Sequence, residues 1–128
     1  MTALSGHSII IMLGSNAGNR RANLDRAVDA LSRRVAIDST SADLDNPDIT
    51  GKGADYLNRL VFGHTALSPQ LLDAYLKEIE TDLGRDRSHP GSVIIDIDTV
   101  ICDGTIVRPK EYDSAPFRAL LDSMRQRQ

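Results

Sequence analysis

The chain has one cysteine, no tryptophan, and only 4% aromatic residues among its 128. A single thiol, Cys102, cannot close an intrachain disulfide, which excludes a disulfide-stapled scaffold. With so few aromatic rings the core must be built from aliphatic side chains, each worth about 1.5–3 kcal/mol when buried. No run approaches the roughly 20 apolar residues of a membrane span, and the stretch up to His7 lacks the basic start of a signal peptide. The expectation is a cytoplasmic protein in a reducing compartment. An excess of positive charge is also missing: 15 Lys and Arg face 18 Asp and Glu, a net charge of −3. That balance argues against nucleic acid or an anionic membrane as the main partner. The length suits a single domain over residues 1–128.

What is present alternates between two periods. The continuous apolar run from His7 to Leu13, ended by Gly14, reads as a strand buried on both faces. Leu24, Ala27, Val28, Leu31 and Val35 recur at helical spacing within 19 to 35. Residues 36 to 43 are weakly strand-like, and 45 to 53 are dense in turn formers and read as a long loop. A strand follows over 55 to 65. Ser68-Pro69 then supplies an N-cap and a first-turn proline for a helix carrying Leu72, Tyr75, Leu76 and Ile79, with its stop at Gly84. Residues 93 to 102 are β-branched and read as a strand, and Asp103-Gly104 is a two-residue hairpin turn into 105 to 107. Phe117, Leu120, Leu121 and Met124 give the end of the chain a short amphipathic helix. The order is βαββαβ, an α+β ferredoxin-like fold with an antiparallel sheet, a β-hairpin arm and a short C-terminal helix. Such a fold packs both main helices on one face and leaves the other face open, and function is expected there.

Within Asp96-Ile97-Asp98 a period of two puts both carboxylates on one face and Ile95 and Ile97 on the other. Two like charges about 6 Å apart repel by roughly 3 kcal/mol at an effective dielectric near 20, which a divalent cation turns into attraction. The plainer alternative is an acidic solvent face. Glu80, then Arg85 and Arg87, then His89 precede this pair; they suit Mg²⁺ held by carboxylates and polyphosphate held by guanidinium groups. The alternative is a solvated loop with Arg85 paired to Asp82 or Asp86. Tyr56 and Asn58 share one strand face, where an aromatic plane beside a carboxamide can hold a flat heterocycle, or else form a core tyrosine and a polar edge. Gly14-Ser15-Asn16 follows no phosphate-cradling pattern and reads as a structural turn. Asp43, Asp45 and Asp48 do not form a calcium loop, because position six is Asp48 and position twelve Ala54. Cys102 reads as a small buried hydrophobe.

Leu13-Gly14-Ser15-Asn16, Asp55-Tyr56-Leu57-Asn58, Ile79-Glu80 with Leu83-Gly84-Arg85-Asp86-Arg87, and Ile95-Asp96-Ile97-Asp98 together resemble the 6-hydroxymethyl-7,8-dihydropterin pyrophosphokinases of folate synthesis. The resemblance implies an enzyme that moves the pyrophosphoryl group of ATP onto the hydroxymethyl of a reduced pterin, releasing AMP. It implies that Asp96 and Asp98 hold two Mg²⁺ ions, that Arg85 and Arg87 act with them on the phosphates, and that Glu80, His89, Ile97 and Tyr112 help bind ATP. By the same likeness Asp45, Asn46, Pro47, Tyr56, Asn58 and Phe117 surround the pterin. Small-molecule substrates, with no nucleic acid or membrane, are the implied partners.

The chain departs from the family pattern in several places. Ser88 to Val93 is shorter than the family's R-W-G-P-R segment, has no tryptophan, and puts Val93 where an arginine is expected. Glu111-Tyr112 stands for a His-Tyr, and Asp45-Asn46-Pro47 for a Thr-Pro-Pro. By position, Arg108, Lys110 or Arg118 are the candidates to compensate for the arginines that the family pattern would place here. Two further readings follow: a paralogue that binds nucleotide or pterin without turnover or accepts another alcohol, and a protein whose acidic strand is inert.

Overall fold

A computed structural model describes residues 6–47 and 54–126. The elements are β1 (His7–Ser15), α1 (Arg20–Leu31), β2 (Ala36–Thr40), β3 (Leu44–Asn46), β4 (Tyr56–Thr65), α2 (Pro69–Asp82), β5 (Asp96–Cys102), β6 (Thr105–Ile106), α3 (Pro109–Tyr112) and α4 (Ala115–Gln126). The sheet is antiparallel in the order β2-β4-β1-β5-β6, with β3 also on β4, which is the ferredoxin-like arrangement with β1 and β4 at its centre. Among the described residues no helix is long and apolar enough to cross a membrane.

Alternation along β1 divides the core in two. Ile9, Ile11 and Leu13 point to one side and pack with Leu24, Ala27 and Leu31 of α1 and Leu72, Leu76 and Ile79 of α2. Both helices start where the residue chemistry dictates: Asn19 caps α1 by accepting from Ala22 N–H, and Ser68 caps α2 by accepting from Leu71 N–H. Gly84, at φ +105°, follows the end of α2. Asp103 and Gly104 both have positive φ, so the β5–β6 turn is of the primed type that matches strand twist.

The opposite face of the sheet is not left open as expected. Phe117, Leu120 and Leu121 of α4 are buried there against Leu60 and Val100, with Ile10, Met12 and Phe62 packed around them. The helix covers only the half of that face whose residues are apolar. The other half carries Gly14, Tyr56, Asn58, Asp96 and Asp98, where burial without partners would be costly, and it stays accessible as a cavity.

Three boundaries differ from the sequence pattern. Asp45 and Asn46 belong to β3, because β4 offers an unpaired edge to Leu44–Asn46; Pro47 follows outside any strand or helix, as expected of the loop, and 48–53 lie outside the described residues. β5 begins at Asp96, three residues later than the β-branched run suggests. Val93 is held elsewhere: its N–H donates to Asn16 Oδ1 at 2.6 Å and its carbonyl accepts from Asn16 N–H at 2.9 Å. Cys102 is half-buried, at the edge of the core instead of inside it.

Candidate active site

Residues 96 to 98 lie against β1, with Gly14 opposite Asp96 and Met12 opposite Asp98. Two cavities meet at these acids. One, of about 300 Å³, is lined by Gly14, Asn46, Tyr56 and Asn58, by Asp96 and Asp98, and by Lys110, Glu111 and Ser114 across from them. The other, of about 320 Å³, lies along the outer edge of β5 between α2 and Arg108, and is lined by Asp73, Lys77, Glu80, Arg87, Ile97 and the same two acids. This edge is open because β6 pairs only with Ile101 and Cys102.

The first cavity is shaped by β1 and β4. A Cβ on Gly14 would lie 3.0 Å from Asn58 Nδ2 and 3.3 Å from the Tyr56 ring, so only glycine leaves both side chains where they are. Asn58 is buried; its Nδ2 donates to the Leu13 carbonyl at 3.1 Å, and its Oδ1 has no partner among the described residues. A buried acceptor without a donor is costly, and this oxygen can accept an N–H from a molecule entering the cavity. Tyr56 is half-buried beside it, its hydroxyl pKa raised by burial and by Asp96. Asn46 reaches this cavity, whereas Asp45 turns to Arg20 at 2.9 Å and Pro47 is exposed.

Around the second cavity the arginines are anchored to carboxylates. Glu80 is buried; its Oε2 accepts the Ile97 N–H at 2.8 Å and its Oε1 accepts from Arg87 at 2.6 Å. Burial and nearby Asp96 raise the Glu80 pKa, against the lowering effect of the Ile97 N–H and the two arginines. Arg85 lies 3.4 Å from Asp96 and donates to the Ile95 carbonyl at 3.2 Å, so its partners are neither Asp82 nor Asp86. Its Nε is buried without a partner among the described residues. Arg108 lies 3.5 Å from Asp98 and donates to the Thr99 carbonyl at 2.9 Å. Burial first, then Asp96, Glu111 and Glu80, push the Asp98 carboxyl up to about 6 despite Arg108.

Three of the residues singled out in the sequence stand elsewhere. His89 is exposed and pairs with Asp86 at 3.0 Å. Phe117 is fully buried in the core beneath α4, so Ser114 and Pro116 line the cavity in its place. Tyr112 packs on Phe117 with ring centroids 5.6 Å apart. Lys77 and Glu111 line the two cavities without standing in any of the sequence motifs above. Lys77 lies three residues before Glu80 on the same face of α2, a spacing that was available as a signal. Glu111 depends on α3, a four-residue helix too short to show a period.

Known proteins support the same frame. The chain is 34% identical over 104 residues to a folate synthesis bifunctional protein of Chlamydia trachomatis, which covers 75% of this chain and 23% of that one. It is 28% identical over 106 residues to the 2-amino-4-hydroxy-6-hydroxymethyldihydropteridine pyrophosphokinase of Aquifex aeolicus, covering 80% of this chain and 66% of that one. A folic acid synthesis protein of Dictyostelium discoideum matches at 28% over 112 residues, 85% of this chain and 17% of that one. The chain thus spans about a fifth of the two longer relatives and 66% of the Aquifex enzyme. Residues 10–121 match the family of the 7,8-dihydro-6-hydroxymethylpterin-pyrophosphokinases, and the chain belongs to that family.

Proposed function

We propose that this chain transfers the pyrophosphoryl group of ATP to the hydroxymethyl group of 6-hydroxymethyl-7,8-dihydropterin. The observation that supports this most is the sharing of Asp96 and Asp98 by two cavities of different chemistry. The first offers a flat wall at Tyr56 and unsatisfied amide chemistry at Asn58, which fits the ring edge of a pterin. The second offers Arg87, Lys77 and Arg108 beside the acids, which fits a polyphosphate.

In the transfer, the hydroxymethyl oxygen bonds to the β-phosphorus of ATP as the bond from that phosphorus to the α–β bridging oxygen breaks; AMP leaves with that oxygen, and the hydroxyl proton is released to water. Such a reaction needs alignment and charge neutralisation more than a covalent partner. Asn58 and Tyr56 orient the ring so that its hydroxymethyl faces the acids. Arg87 lines the second cavity, and Arg85, 3.4 Å from Asp96, stands beside the acid pair with its Nε buried and unpartnered among the described residues. The donor set of Asp96 and Asp98 is all oxygen and, with Asp98 pushed up to about 6, short of positive charge; it fits Mg²⁺. These two residues would hold the metal, which supplies neutralisation of the phosphate charge.

A second reading, binding without transfer, is favoured by Val93. That residue, where the family has an arginine, is 3% exposed and tied to Asn16, so it places no cation at the phosphates. Incubation with ATP, Mg²⁺ and the dihydropterin separates the readings: AMP released only when pterin is present supports transfer, and saturable binding of both substrates without AMP supports the second.

A further inference from the structure

The far end of the sheet gathers a group of metal-ligating side chains that pyrophosphoryl transfer does not use. His7 opens β1, Cys102 closes β5, and Asp103 begins the turn that follows. Asp96 stands at the other end of the seven-residue β5. At about 3.3 Å per residue, roughly 13 Å of strand separates Cys102 from Asp98 and roughly 20 Å separates it from Asp96.

Strand geometry brings the three together. His7 lies two residues from Ile9 and so shares its face, and Ile9 is the register partner of Cys102. His7 Nδ1 is 2.7 Å from Asp103 Oδ2, and Cys102 Sγ is 3.9 Å from the same oxygen. All three ligand atoms lie within 4.8 Å of one another. The other carboxylate oxygen, Oδ1, accepts the Ser8 N–H at 2.9 Å, and the Asp103 N–H donates to the Ser8 carbonyl at 2.7 Å. Backbone bonds therefore fix the aspartate with one oxygen turned toward the imidazole and the thiol. The side chains of His7 and Asp103 are 35% and 51% exposed, so an ion can reach them and a water can complete its shell.

We propose that His7, Cys102 and Asp103 form a second cation site, selective for a borderline divalent ion of the zinc type and open to water at its fourth position. One nitrogen, one sulfur and one oxygen donor match that ion and mismatch Mg²⁺, which prefers oxygen alone. Ligand atoms around a tetrahedral ion with bonds of about 2.0–2.3 Å stand roughly 3.3–3.8 Å apart. The His7–Asp103 pair must open, and the widest separation close, by about an ångström or less, within reach of side-chain rotation at a strand end. The bound ion joins the start of β1 to the β5–β6 turn.

Cys102 is the only cysteine in the chain, so thiolate-to-cobalt charge-transfer absorption reports this site alone. Co²⁺ held by Asp96 and Asp98 gives no such band, and the outcome is independent of the activity proposed above. Titration of the full chain with Co²⁺ is expected to give the band at one equivalent, displaced by Zn²⁺ and not by Mg²⁺. Cys102→Ser should abolish it, and His7→Gln or Asp103→Asn should weaken Co²⁺ affinity at least about tenfold while the circular dichroism spectrum stays unchanged. Absence of the band at saturating Co²⁺ overturns the site, leaving a hydrogen-bonded clasp. Undiminished affinity in His7→Gln and Asp103→Asn overturns it equally.

Discussion

Glu80 of α2 accepts, at 2.8 Å, the backbone N–H of Ile97, the residue that separates Asp96 from Asp98. The same carboxylate holds Arg87 at 2.6 Å. One buried side chain thus fixes both the acid pair and the Arg87 cation beside it. Glu80→Ala leaves the Ile97 N–H without its partner and should cost about 1–3 kcal/mol of stability in urea unfolding. Glu80→Gln keeps an acceptor for Ile97 and should recover most of that loss.

Asp98 makes the metal-free protein sensitive to pH. Its folded pKa of about 6 lies above the ordinary 3.8, so between these values the folded chain holds a proton that the unfolded chain has released. Stability from this group is therefore fully present below 3.8 and is lost as pH rises through about 6. Urea midpoints measured across that window should fall with pH in the parent more than in Asp98→Asn. Equal slopes in the two proteins would show that Asp98 has its ordinary pKa.

Gly14 and Asn58 line the first cavity, proposed above to take the pterin. Gly14→Ala puts a Cβ 3.0 Å from Asn58 Nδ2 and should raise the KM for the dihydropterin while leaving that for ATP nearly unchanged. Asn58→Leu removes the unpartnered acceptor and should weaken pterin binding by about 1–3 kcal/mol, read by calorimetry.

Phe117 is buried in the core under α4. Phe117→Ala should therefore destabilise the fold by about 3–5 kcal/mol in urea unfolding. A loss of pterin affinity at unchanged stability would instead place the ring in the cavity.

Much of this arrangement could be read in the residues because local rules act alone there. Ser68 and Gly84 bracket α2 by capping chemistry, Asp103-Gly104 forms its turn from positive-φ preference, and alternation fixes the shared face of Asp96 and Asp98. What escaped reading depends on distant partners. Asp45 and Asn46 are turn formers drawn into β3 by the free edge of β4, and Val93 leaves the strand because Asn16 takes its backbone. His89 precedes the acid pair in sequence, as a phosphate ligand would, but the Asp86-Ser88 turn keeps it at the surface. His7 and Cys102 are distant in sequence, so only the β1–β5 register reveals their proximity.

The most direct measurement is AMP release from ATP in the presence of Mg²⁺ and 6-hydroxymethyl-7,8-dihydropterin, comparing the parent chain with Asp96→Asn and Asp98→Asn. If the acid pair serves both cavities, AMP forms in step with the pterin diphosphate, and each variant is slower by about 10²–10³-fold or more while both substrates still bind. AMP release at the parent rate in either variant would contradict the assignment.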